Sequence, residues 1–210
     1  MVTDKIKVDG WGIGRDEALE ITDRFAEYEN VDHKTFMRLH LLAEETLGMV
    51  TAIAEDFDAL FWLESTSDGK AYIHLLAETD MDYIKKKALI DASKRKQNDA
   101  AMGVMGKIRE IVENSLYTMD EVESLQTEYG GSPLMYSSLG AVDSSSLASS
   151  DYQWSLSMYK DNVEDAKNTN PAAQMAWDEL EKSIVANIAD DVRVSVKGST
   201  VELTIEKKIK

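Results

Sequence analysis

From about His33 to Glu55 the chain carries Phe36, Met37, Leu39, Leu41, Leu42, Ala43, Leu47, Met49, Val50, Ala52 and Ile53, enough apolar side chains to cover most of a helix's circumference. A helix that is hydrophobic on so many sides must be enclosed on more than one of them, so this stretch predicts a central, deeply packed element, with Asp32 placed to cap its start. Glu44 and Glu45 sit in its middle. A carboxylate enclosed there without a partner would pay a heavy desolvation cost. Two explanations are open: both acids reach solvent or pair with Arg38 or a lysine, or one is kept for chemistry.

The rest of the chain supplies what such a helix packs against. Lys5 to Val8 alternates as a short strand, and Gly10, Gly12 and Gly14 break the pattern into a turn before Arg15. From Arg15 to Glu29, Ala18, Ile21, Phe25 and Tyr28 form one apolar stripe on a charged segment, which predicts an amphipathic surface helix. Asp58 to Glu64 and Lys70 to Ala77 read as antiparallel strands joined through Asp68-Gly69. Asn170-Pro171 starts a helix in which Ala173, Trp177, Leu180, Ile184 and Ile188 share a face. Asp191 to Val196 and Thr200 to Glu206 alternate as a terminal hairpin. No internal repeat is visible.

The middle is different in character. Asp80 to about Gln97 predicts a helix carrying Lys85, Lys86, Lys87, Lys94, Arg95 and Lys96, and Ala100 to Leu116 predicts another, with Gly103 and Gly106 near its start. Tyr129 to Asp151 is rich in serine and glycine, the composition of a loop or lid, and Tyr152 to about Lys167 regains a turn or two of helix. The expectation is one domain over all 210 residues with an insertion or lid at about 117–171.

Composition narrows function mainly by exclusion. With 39 acids against 23 bases the formal charge is −16, which disfavours any surface that must neutralise many phosphates, so nucleic acid is not an expected partner. The chain has no cysteine, which removes disulfides, thiolate metal sites and a thiol nucleophile. No apolar run approaches a membrane span or a secretory leader, and the expected location is cytoplasmic without membrane attachment. His33, His40 and His74 lack metal-ligand spacing and read as surface or satisfied core histidines, and Trp11, Trp62, Trp154 and Trp177 as packing residues, with Trp154 best placed to cover a pocket.

The order strand, helix, long helix with paired glutamates, hairpin, acidic turn, variable helical segment, helix and terminal hairpin resembles the ATP-binding domain of gyrases, histidine kinases and serine-kinase anti-sigma factors, the histidine-kinase-like ATPases. Glu44-Glu-Thr-Leu-Gly-Met49 stands where the anti-sigma kinases carry Glu-Glu-Ala-Leu-Thr-Asn, and Ile188-Ala-Asp-Asp-Val192-Arg-Val194 with Gly198-Ser-Thr-Val201-Glu-Leu203 looks like that family's closing segment. The likeness covers roughly the first 80 and last 35 residues. It implies an α/β sandwich with a mixed, mostly antiparallel sheet and helices on one face.

By the same resemblance Glu45 is the base that activates water or a substrate hydroxyl, and position 49 holds the magnesium ligand. Met49 is a poor one, so magnesium is doubtful while ATP remains a candidate cofactor. The family's Asp-x-Gly-x-Gly maps onto Glu78-Thr-Asp80-Met-Asp82, which has no glycine, so Glu78 or Asp80 is the candidate adenine contact. Gly103-Val-Met-Gly106-Lys107 echoes the phosphate-binding motif at a predicted helix start. Gly103 and Gly106 equally permit close helix packing, and the lysine run equally suits a solvated face. The resulting expectation is a nucleotide-binding regulatory protein, possible as a serine kinase acting on a protein partner. The alternative is a non-catalytic, degenerate member retained as a protein-interaction module.

Overall fold

A computed structural model describes residues 1–53, 58–78, 151–197 and 200–210. Among them are six strands and five helices: β1 (Ile6–Asp9), α1 (Arg15–Tyr28), α2 (His33–Ile53), β2 (Asp58–Ser65), β3 (Lys70–Glu78), β4 (Asp151–Ser155), α3 (Leu156–Ala166), α4 (Pro171–Lys182), α5 (Ile184–Ile188), β5 (Asp191–Lys197) and β6 (Thr200–Lys208). The strands form one sheet in the order β1-β2-β3-β6-β5-β4, and every pairing is antiparallel.

The period of two in the strands decides which face is covered. Ala59, Phe61 and Leu63, then Ala71, Ile73, Leu75 and Ala77, then Val201, Leu203 and Ile205, then Val192 and Val194 are all buried. Between them Trp62, Tyr72, His74, Thr204 and Arg193 fall on the other face. The helices close the first face in a single core that joins Phe25 of α1, Leu39, Leu42 and Leu47 of α2, Leu156 and Val163 of α3, and Val185 of α5. Each fully buried Leu or Phe contributes about 1.5–3 kcal/mol, so this side of the sheet dominates the stability.

Local chemistry sets the helix ends. The Asp32 carboxylate accepts from the Thr35 amide at 2.8 Å, so α2 starts where the sequence predicts. Buried Thr22 and Thr46 donate to the carbonyls of Ala18 and Leu42 at 2.8 and 2.7 Å, which removes the cost of enclosing a hydroxyl. Gly69, at φ 80, closes the β2–β3 hairpin as the Asp68-Gly69 pair predicts.

Three expectations need correction. The segment after Asp151 begins with a strand, β4, paired residue for residue with β5 from Asp151↔Lys197 to Ser155↔Arg193, where the sequence reads loop and then helix. The helix expected to run from Pro171 through Ile188 stops at Lys182. Ser183 has an extended backbone, and its hydroxyl accepts from the Ala186 amide to start α5. The third concerns the sheet: the resemblance implies a mixed one, but every pairing among the described strands is antiparallel. Two successive runs of strand, helices and hairpin allow this, because each hairpin and each helical crossover returns a strand antiparallel to its neighbour. β1-α1-α2-β2-β3 and β4-α3-α4-α5-β5-β6 trace the same path, and their last strands pair antiparallel with His74 opposite Thr204 at the centre of nine residue pairs. The two halves of the sheet therefore repeat a topology that the residues themselves do not display.

Candidate functional site

Helix α2 carries the candidate acids, and its orientation can be read from its contacts. His40 Nδ1 lies 2.7 Å from Asp23 Oδ1, which places α1 on the His40 side of α2. At about 100° per residue, Glu44 lies on that same flank and Glu45 lies about 140° away on the opposite one. The buried arc of Leu39, Leu42, Ala43, Thr46 and Leu47 runs between the two flanks against the sheet. Adjacent in sequence, the two glutamates therefore serve different sides of the helix.

Glu44 and Glu45 are both half-buried. Neither side chain has an ion-pair or hydrogen-bond partner among the described residues, and Arg38, the partner expected for them, does not reach either. Glu45 is thus a partly enclosed carboxylate that no described residue pairs with. Met49 follows it by one turn on α2. Glu78 ends β3, opposite Asp58 of β2 and Thr200 of β6. The remaining candidates, Asp80, Gly103, Gly106 and Lys107, lie outside the described residues, as do the lysine run from Lys85 to Lys96 and the serine-rich stretch up to Ser150. No group of three His, Asp or Glu side chains among the described residues is arranged to hold a metal ion. No helix among them is long and apolar enough to cross a membrane.

The histidines differ from one another. His33 is exposed, and His40 is held by Asp23. His74 stacks on Trp62 with ring centroids 4.8 Å apart and shares a hydrogen bond of 3.2 Å with the Thr204 hydroxyl through Nδ1. Its Nε2 is buried without a hydrogen-bond partner, with Glu64 Oε2 3.8 Å away. Burial holds the His74 imidazole below its usual range, opposed by Glu64 and Glu202 and assisted by Lys5 and Arg193. Expected as a surface or satisfied core residue, it is partly buried with one ring nitrogen bonded and the other not.

The tryptophans also divide. Trp154 is buried against Tyr159, and Trp177 is partly buried with Lys167 Nζ 3.6 Å from its ring centre. Trp62 has Lys5 Nζ 4.2 Å from its ring centre. Trp11 does not pack at all: 69% of it is exposed, and Ile13 beside it is 70% exposed. Both stand on a loop organised by Asp9, whose Oδ1 accepts from the amides of Trp11 and Ile13 at 2.9 Å each. The spacing Gly10-Trp-Gly-Ile-Gly14 holds the signal for this, because apolar residues between glycines belong to neither flanking element's periodicity.

No protein-family model, no curated protein and no solved structure matches this chain.

Proposed function

We propose that this chain is a nucleotide-binding regulatory domain of the histidine-kinase-like ATPase architecture. The single observation that carries the reading is Glu45, a half-buried carboxylate in the middle of α2 with no partner among the described residues. An acid held without a counter-charge is costly, and such positions concentrate where a proton or ligand must be met. What supports the reading is α2 against one face of the sheet and the closing β5–β6 hairpin beside β3; the all-antiparallel pairing among the described strands and the added strand β4 depart from what the resemblance implies.

In this reading Glu45 accepts a proton from a water or a partner's serine hydroxyl. Glu78 or Asp80 contacts the base, and Gly103, Gly106 and Lys107 contact phosphate. Magnesium does not fit the residues present: Met49 offers a thioether where a hard cation needs oxygen, and the described residues hold no acidic cluster for one. No step is assigned to it.

Titration calorimetry and thermal shift with ATP, with and without magnesium, test the proposal. Binding heat and a raised melting temperature are expected, and Glu45→Gln should retain binding while losing any turnover. Absence of both signals at millimolar nucleotide would end this reading.

Met49 favours a second reading, in which the fold serves only as a protein-interaction module. Nucleotide turnover abolished by Glu45→Gln would exclude it.

A further inference from the structure

The alternation that sends one set of strand residues into the core sets another on the opposite face of the sheet, turned away from the described helices. His74 stands at the middle of β3, directly opposite Trp62 of β2 on one side and Thr204 of β6 on the other. Residues directly opposite in an antiparallel pair share a face, so these three side chains form a row across three adjacent strands. Glu64, two residues beyond Trp62 on β2, and Arg193 of β5, directly opposite Thr204, belong to the same face. β2, β3 and β6 are each paired on both sides. Side chains on such strands are held more rigidly than side chains on loops.

The geometry within the row is that of a chemical relay. The Trp62 ring lies 9° from parallel to the imidazole, with centroids 4.8 Å apart, and so fixes its plane. With the ring held this way, Nδ1 lies 3.2 Å from Thr204 Oγ1 and Nε2 faces Glu64 Oε2 at 3.8 Å. When the ring's proton is on Nε2, the Thr204 hydroxyl donates to Nδ1 and the proton faces the carboxylate. The second distance is long for a hydrogen bond, as distances in such arrays often are before a substrate binds. Hydroxyl, imidazole and carboxylate in this order are a nucleophile, the base that takes its proton and the acid that orients the base.

We propose that Thr204, His74 and Glu64 form an acyl-transfer centre, in which the Thr204 hydroxyl attacks the carbonyl carbon of a carboxylic ester bearing an aromatic group. Attack forms the bond from Thr204 Oγ1 to that carbon as the hydroxyl proton passes to His74 Nδ1. Collapse breaks the ester C–O bond, and the imidazolium returns the proton to the departing alcohol oxygen. Water then attacks the acyl-threonine and gives a proton to Nδ1, which hands it to Thr204 Oγ1 as the carboxylic acid leaves. Glu64 is a positioning residue, whose charge balances the imidazolium. Arg193, beside Thr204, is a cation placed to meet the charge that develops on the carbonyl oxygen. Tyr72, tilted against His74 with ring centroids 6.2 Å apart, gives the aromatic group a ring to lie on. The centre lies on the opposite face of the sheet from α2, so it stands or falls separately from the reading of Glu45.

p-Nitrophenyl acetate, incubated with the full chain, is the probe. The chain should release p-nitrophenol faster than Thr204→Ala does, and acid quenching followed by peptide mass spectrometry should find acetyl on Thr204. Thr204→Ser should keep both signals. His74→Gln should slow release by about a hundredfold or more, the range of a positioned base. Release should fall in acid through an inflection below 6.5, because burial lowers His74, with Glu64 and Glu202 opposing, Lys5 and Arg193 assisting, and Tyr72 and Thr204 the other groups that face it. Glu64→Gln should move that inflection lower still, which a merely structural role would not do. Circular dichroism melts establish that each variant is folded, and Thr204→Ser, which removes one methyl group, keeps the test decisive if the others unfold. Release no faster than from Thr204→Ala, acetyl confined to lysines or the amino terminus, or release indifferent to folded His74→Gln would each overturn the proposal.

Discussion

The Ser65 hydroxyl donates to the Glu29 carboxylate at 2.5 Å, tying the end of α1 to the end of β2 across 36 residues of chain. Lys210 Nζ donates to the other oxygen of the same carboxylate at 3.0 Å, so β6's trailing end is held at this point too. The Ser65 hydrogen bond, followed by the Lys210 ammonium, holds the Glu29 carboxyl below its usual range against the opposing effect of burial.

A carboxyl whose value is lowered by folding adds stability that is complete above its unfolded value, near 4.5, and is lost as pH falls through the lower folded value. Glu29→Gln should cost about 1–2 kcal/mol at neutral pH, the scale of hydrogen bonds to a charged group. Its melting temperature should approach that of the unmodified chain once pH falls below the carboxylate range. Thermal melts from neutral to acid pH read this directly.

Gly14 and Gly12 both have positive φ, 77° and 88°, yet they should respond differently to substitution. A Cβ on Gly14 would stand 2.0 Å from the Lys7 carbonyl oxygen, which is backbone of β1, whereas a Cβ on Gly12 meets nothing within 4 Å. Gly12→Ala should cost about 1 kcal/mol, the left-handed backbone penalty alone. Gly14→Ala should cost about 3 kcal/mol or more, because it adds overpacking against the strand. Urea denaturation of both variants separates the two effects.

His74 gives a stability change of the opposite chemical origin in a nearby pH window. Burial lowers its value from the ordinary 6.5, so the unfolded chain takes up a proton before the folded one does. The stability it contributes is present above 6.5 and declines as pH falls from there toward the folded value. Glu64, Glu202, Lys5, Arg193, Tyr72 and the Thr204 hydroxyl surround it and remain in place in His74→Gln. The difference in melting temperature between the two proteins should therefore shift in favour of the variant on going from pH 7 to mildly acidic buffer.

Lys207 is 7% exposed, and its ammonium meets the Asp190 carboxylate at 2.9 Å; the Lys208 amide donates to the same oxygen at 2.5 Å. Removing only the acid strands an enclosed cation, so Asp190→Ala should cost about 3 kcal/mol or more. Lys207→Met removes the cation itself and should stay within about 1 kcal/mol of the original chain. Chemical denaturation that ranked the two in reverse would mean the pair contributes net attraction and not compensation.

The elements that depend on neighbours in the chain were legible before any coordinates. Asp32 caps α2 through a contact three residues away, Gly69 turns the β2–β3 hairpin, and the alternation of Val192 to Ile205 marks two strands, because caps, turns and periodicity are local chemistry. The pairing of β3 with β6 joins residues about as far apart as His74 and Thr204 and has no local signature. The same holds for β4, whose Asp151 to Ser155 becomes a strand only because β5 offers an edge.

For the candidate site the division is sharper. Sequence by itself determined that a carboxylate pair sits in the middle of an apolar helix and that a glycine-spaced turn precedes α1. Only tertiary structure decided that Glu44 faces the α1 side while Glu45 lies on the opposite flank, and that Trp11 stands in solvent at the sheet's edge instead of in the core. The physical reason is common to both. Residue type and spacing set what a side chain can do, but its direction and burial depend on which distant element occupies each side of it, and that is settled by packing across the whole sheet.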